Sequence, residues 1–152
     1  MHVWRISKQA YALSCLAGTG GLYASGRWHH QGRPIVYTAS NAALAALEML
    51  VHTDPMLAPA DLRLIEIEVP DTASVEACDP TALADNWRQY PGPLELRDFG
   101  SKWLAEKRTL VLRVPSAVLD AEPNYLLNPA HPEIGHVRIL ADQAFSFDPR
   151  LR

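Results

Sequence analysis

Cysteine is scarce in this chain. Cys15 and Cys78 are the only two, far apart and in no spacing that a metal or a redox pair uses, so both are expected as reduced thiols. Histidine patterns for metal are missing as well: His29 and His30 are adjacent, which points them apart on a strand and splays them on a helix, and there is no HExxH or CxxC. No metal site is expected. The chain also has no strand-GxGxxG-helix unit, no GKS or GKT phosphate loop and no GxSxG elbow, which removes the usual dinucleotide, P-loop and serine-hydrolase readings. No apolar run approaches the roughly 20 residues of a membrane span, and the opening MHVWRISKQ lacks the apolar core of a secretion signal. The expectation is a soluble protein acting in the cytoplasm, with no membrane partner. Positive charge is in short supply too: 14 basic against 17 acidic residues, mixed along the chain, give a net charge of −3 and argue against direct nucleic-acid binding.

What is present suits one domain over residues 1–152, since 48% of the residues are apolar and only 20% charged. No repeat or low-complexity tract interrupts it. Ser40 to Val51 reads as a helix, capped by Ser40 or Asn41 and rich in alanine and leucine. Leu96 to Lys107 reads as an amphipathic helix with Phe99, Trp103 and Leu104 inward. Strands are expected at His2–Ile6, Pro34–Thr38, Leu62–Val69, Thr109–Val114 and Gly135–Leu140. Residues 71–93 read as a long connection with a helical turn near Pro80 to Trp87, and residues 142–152 as a tail with Phe145 and Phe147 tucked in. Arg5, between Trp4 and Ile6, is an edge charge or a ligand contact, the former being the simpler reading. Strands outnumber helices without alternating with them, so the fold class is α+β.

The organising stretch runs from Thr19 to His52. Leu44, Leu47 and Val51 mark one face of its helix, and Glu48 lies in the same stripe. Glu48 is the only charged residue between Arg33 and Asp54. A carboxylate in apolar surroundings costs several kcal/mol, roughly, unless it is paired or has work to do. A lone helical Glu is more often a solvated or ion-paired residue. Arg27 and Arg33 lie just upstream, and Tyr37 sits on the strand between. Ser116 falls where a strand gives way to a loop, a frequent place for binding groups, and Asn124 and Asn128 bracket three apolar residues ahead of Pro129. One carboxylate with arginines, a tyrosine, a serine and asparagines fits cleavage of a ribosyl–pyridinium bond, because the leaving group departs neutral and needs no general acid. Arginine can clamp a pyrophosphate and tyrosine can stack on a flat ring. Other phosphate-bearing ligands fit these residues equally well.

The run GTGGLYASGRWHHQGRPIVYTASNAALAALEMLVH, followed in order by GSKWL, VPSAV, NYLLNP and HPE, resembles the RES-domain toxins of bacterial RES–Xre toxin–antitoxin pairs. The resemblance spans nearly the whole chain. It implies an ADP-ribosyltransferase-like single domain with a mixed, mainly antiparallel β core and a few flanking helices. The arginine, glutamate and serine that name the family fall on Arg27, Glu48 and Ser116, and the tyrosine of its VVY-type strand on Tyr37. The implied substrate is NAD, with no further cofactor. Arg27 would hold the NAD phosphates or adjacent ribose, Tyr37 the nicotinamide side and Glu48 the ribose, while Ser116 with Asn124 or Asn128 would orient ribose or phosphates. The implied activity is that of a toxin that splits NAD as a glycohydrolase or phosphorylase. The alternatives are an ADP-ribosyltransferase acting on a host protein and a non-enzymatic partner-binding domain. The implied partner is an Xre-type helix-turn-helix antitoxin, and a homodimer is possible on sequence grounds.

Overall fold

A computed structural model describes residues 1–151. Seven strands form one sheet: β1 (His2–Lys8), β2 (Val36–Ala39), β3 (Leu62–Glu68), β4 (Val75–Ala77), β5 (Val111–Pro115), β6 (Pro123–Leu127) and β7 (Arg138–Ala144). Their order is β4-β5-β6-β2-β1-β3-β7, and every neighbouring pair is antiparallel except β4 with β5. The helices are α1 (Ala42–Leu50) and α2 (Leu94–Glu106). The fold is therefore α+β with a mixed, mainly antiparallel sheet.

Strand alternation gives the sheet two apolar faces. On one, Val3, Val36, Ile65, Ile67, Val111 and Leu127 are covered by Ala12 and Cys15 from the short 3-10 turns after β1. On the other, α2 lays Leu96, Trp103 and Leu104 against Leu112, Val114 and Leu126. There α1 also lays Leu44 and Ala45 against Ile6, Ala39 and Leu62. Asn41 starts α1 by accepting a hydrogen bond from the Leu44 N–H at 2.8 Å, the N-cap arrangement its side chain favours. Gly100 lets α2 approach the turn at Arg27 and Trp28, since a Cβ at position 100 would run into the Trp28 carbonyl.

Several expectations shift. The first helix begins at Ala42, after its Asn41 cap, rather than at Ser40, and Val51, which caps its other end, is exposed. In α2, Phe99 is at the margin rather than inside, touching Trp28 edge-on, while Leu96 and Gly100 are the buried positions beside Trp103 and Leu104. Within residues 71–93 the structure has a short strand, β4, and a single 3-10 turn at Pro80–Ala82. Asn124 and the apolar residues that the two asparagines bracket, where no strand is expected, lie in β6, an interior strand between β5 and β2. The last strand runs to Ala144, taking in Asp142, and Phe145 and Phe147 stack edge-to-face on each other and pack against the α1 cluster. Arg5 is not an edge charge, because β1 lies between β2 and β3. Cys15 and Cys78 are both free and buried.

Candidate active site

Glu48 projects from the second half of α1 toward the ends of β5 and β6. Its Oε1 accepts two hydrogen bonds, from Ser116 Oγ at 2.6 Å and from Asn124 Nδ2 at 2.7 Å. Ser116 follows β5 and Asn124 opens β6, so two adjacent strands hold a carboxylate delivered by a helix. The loop joining those strands is anchored to the start of the same helix: Ser40 Oγ donates to Glu122 Oε2 at 2.8 Å, and the Ser116 N–H donates to the Glu122 carbonyl at 3.0 Å. Ser116 is fully buried, and its Oγ also accepts from the Val118 and Leu119 N–H groups at 3.2 and 3.1 Å. Its hydroxyl proton is thereby committed to Glu48. Ser116 is bonded to the glutamate and is not among the residues that line the cavity beside it.

Glu48 and Asn124 line a cavity of about 900 Å³, together with Trp4, Arg5 and Ile6 of β1, Arg27 and Trp28, Tyr37 of β2, and His52, Arg88 and Tyr90 at the mouth. That volume is of the size that encloses a cofactor-sized molecule. Among the described residues, Glu48 is the only acid on its wall. Arg27 forms no ion pair among the described residues; its Nη1 donates to the Trp87 carbonyl at 2.7 Å and the Gln89 carbonyl at 2.9 Å, tying residues 87–89 into the cavity wall. Burial lowers the Arg27 pKa from the ordinary arginine value, and the nearby Glu48 charge opposes that shift.

Tyr37 presents its ring to the cavity while its hydroxyl is fully used. His29 Nε2 lies 2.9 Å from the Ala24 carbonyl, which can only accept, so His29 Nδ1 is unprotonated and takes the Tyr37 O–H at 2.7 Å. The same phenol oxygen accepts from the Trp28 N–H at 3.2 Å. Burial raises the Tyr37 pKa well above the usual phenol value, and burial likewise lowers that of His29. His29 is thus the positioning residue that sequence reasoning missed; only its neighbourhood to the GRW turn hinted at it.

The structure brings Arg27, Tyr37, Glu48, Ser116 and Asn124 together. It leaves Asn128 out. That side chain is buried away from the cavity, with Nδ2 donating to the Leu104 carbonyl at 3.0 Å and Oδ1 accepting from the Ala130 N–H at 3.0 Å. Asn128 fastens the end of α2 to the turn after β6. No group of three or more His, Cys, Asp or Glu side chains that could hold a metal occurs among the described residues. Nor is any helix among them long and apolar enough to cross a membrane.

The RES domain family model matches residues 2–148. The chain is 46% identical to Toxin Res of Pseudomonas putida, over 99% of both proteins. It is 40% identical to the Prs ADP-ribosylating toxin of a Sphingobium species, over 97% of this chain and 94% of that protein. Among solved structures, the M. tuberculosis MbcT-MbcA toxin-antitoxin complex contains a chain that superposes with a TM-score of 0.75 at 18% identity, covering 95% of this chain and 84% of that one, a likeness of fold. With the family model matched almost end to end, and relatives 46% and 40% identical over nearly their whole length, this chain belongs to the RES domain family.

Proposed function

We propose that this protein is the toxin of a type II toxin–antitoxin pair and that it breaks the nicotinamide–ribose bond of NAD. The observation that carries the reading is the single carboxylate on the cavity wall, held by Ser116 and Asn124 through one oxygen. Among the described residues no partner occupies Glu48 Oε2, so that oxygen is available to a ribose hydroxyl. As the C1′–N bond lengthens, its electron pair leaves with nicotinamide, which departs neutral. Positive charge grows on the ribose ring, and the fixed carboxylate stabilises it. An acceptor then forms the new bond to C1′ and loses a proton. Arg27 supplies positive charge for the substrate's phosphates, and the Tyr37 ring offers a flat surface for the nicotinamide.

Incubating the purified protein with NAD, with and without phosphate, and identifying the products tests this directly. Free nicotinamide with ADP-ribose, or with a phosphorylated ADP-ribose, is the expected result; intact NAD would overturn it. A second reading, transfer of ADP-ribose to a protein, is favoured by the relative named for ADP-ribosylation. Labelled NAD would then mark a protein band. The partner we propose is an Xre-type helix-turn-helix antitoxin, in line with the shared fold of a chain solved in a toxin-antitoxin complex. Growth arrest on expression in the cytoplasm, relieved by co-expressing that partner, is the matching test.

A further inference from the structure

A carboxylate is aimed only as well as the element that carries it. The body of α1 rests on Ile6 of β1, Ala39 of β2 and Leu62 of β3, and apolar contact of that kind has no direction of its own. What sets the helix against β5 and β6 is therefore polar. One tie is Glu48 itself, bonded to Ser116 and Asn124. The other lies at the start of the helix, about 9 Å back along its axis, and converges on Glu122. Glu122 Oε2 accepts from Ser40 Oγ at 2.8 Å and from Asn41 Nδ2 at 3.5 Å, and the neighbouring Pro123 carbonyl accepts from the Ser40 N–H at 3.3 Å. The backbone of Glu122 serves the opposite partner: its carbonyl accepts from the Ser116 N–H at 3.0 Å, and its N–H donates to the Leu119 carbonyl at 3.0 Å. Glu122 does not line the cavity. No cation pairs with it among the described residues. Its charge sits instead at the amino-terminal end of α1, where the helix dipole favours an anion.

We propose that Glu122 is a positioning residue of the active site, a peg that fixes α1 against the β5–β6 loop and so aims Glu48. This rests on reading Glu48 as the group that meets the substrate. A helix cap does not account for Glu122, because that place is filled: Asn41 Oδ1 already takes the Leu44 N–H at 2.8 Å. A loop anchor does not account for it either, because the loop closes through the main-chain bond to Leu119 and needs no carboxylate for that. The side chain leaves its own loop to hold the helix that carries Glu48, while the main chain of the same residue holds Ser116. One residue thus ties together both sides of the 2.6 Å bond between Ser116 and Glu48. Without the carboxylate the start of α1 is free to shift, and Glu48 loses its aim while the rest of the cavity wall stays in place.

The test compares Glu122→Ala, Glu122→Gln and Ser40→Ala with the parent in NAD turnover, with thermal melting as the folding check. Nitrogen–proton NMR of the Asn124 side-chain amide reports separately on its bond to Glu48. In Glu122→Ala, kcat should fall about fivefold or more while KM stays within about twofold, and the Asn124 amide signal should shift. Glu122→Gln keeps an acceptor oxygen for Ser40, so kcat should stay within about twofold of the parent and the amide signal should stay in place. Combined with Ser116→Ala, Glu122→Ala should cost less kcat than the two single losses multiplied, because both act on the same glutamate. If Glu122→Ala does not fold, Ser40→Ala, which removes the donor, carries the comparison. An unchanged kcat, a raised KM at constant kcat, an unmoved amide signal, independent losses with Ser116→Ala, or equal loss in the alanine and glutamine variants would overturn the proposal. Parent protein that leaves NAD intact would overturn the proposed reaction instead. The Asn124 signal then decides the Glu122 assignment by itself, which stands if the signal moves in Glu122→Ala and falls if it does not.

Discussion

Replacing Ser116 with alanine removes one oxygen atom and three hydrogen bonds: the 2.6 Å donation to Glu48 and the two acceptances from Val118 and Leu119. Two separate consequences follow, and they are read by different measurements. The loop loses the acceptor for two N–H groups, which costs about 1–3 kcal/mol for each that stays unsatisfied and lowers the melting temperature. The carboxylate loses one of its two anchors. A hydrogen bond to a charged group is worth about 1.5–3 kcal/mol. If most of that is spent on aiming Glu48, kcat for NAD cleavage should fall by roughly 10- to 100-fold. KM should hold, because Ser116 is fully buried behind the glutamate and does not line the cavity. Initial rates across NAD concentrations, on protein shown to be folded at the assay temperature, give both constants. Adding Asn124→Ala to the same background tests the shared oxygen, since two donors on one acceptor should give non-additive losses. An unchanged kcat, or a raised KM at constant kcat, would refute the positioning role and return Ser116 to direct substrate contact.

Glu48→Gln keeps the shape and removes the charge, so NAD turnover should drop by about 100-fold or more, measured as nicotinamide release; parental rates would show that the carboxylate is idle. Arg27→Lys loses the planar fork that reaches the Trp87 and Gln89 carbonyls; KM for NAD should rise about tenfold and limited proteolysis near residues 87–89 should quicken. Asn128→Ala should lower stability by about 1–3 kcal/mol in urea titration while leaving kcat and KM of the folded protein unchanged, because its amide serves only the Leu104 carbonyl and the Ala130 N–H. Burial lowers the His29 pKa, so the folded state resists a proton that the unfolded chain accepts. That penalty is absent above the unfolded histidine value of about 6.5 and grows as pH falls below it. Melting temperatures should therefore decline from pH 7 to pH 5.5, and a flat profile over that window would count against the neutral His29–Tyr37 bond.

Much of the framework is legible in residue order because the signals are local. The Asn41 cap and the alanine-leucine run mark α1, and the spacing of Phe99, Trp103 and Leu104 marks α2, although Leu96 takes the buried place expected for Phe99. Glu48, which lines the cavity, stands out for the same reason: a lone charge in a long neutral stretch. What stays hidden depends on distant pairing. β6 begins at Pro123 in a stretch whose asparagines and prolines look like loop, and it becomes a strand only because β5 and β2 satisfy its backbone from both sides. Arg5 reads as an edge residue because alternation reports the face of a strand and not its neighbours. The partners of Arg27 lie 60 and 62 residues away, and no spacing rule reaches them. The difference between Asn124 and Asn128 is likewise a matter of one short strand, enough to move an amide from the glutamate to the far end of α2.

The contact at Gly100 gives the molecule a mechanical stiffness that its loops would otherwise lack. A glycine inside a helix sacrifices about 1 kcal/mol of helical preference, and here the gap it leaves is filled by the peptide carrying Trp28. The thirteen-residue rod of α2 therefore serves as a fixed backstop for the arginine turn. A methyl group added to the rod would push that turn outward, so the aim of a guanidinium is governed by the thickness of a neighbouring backbone.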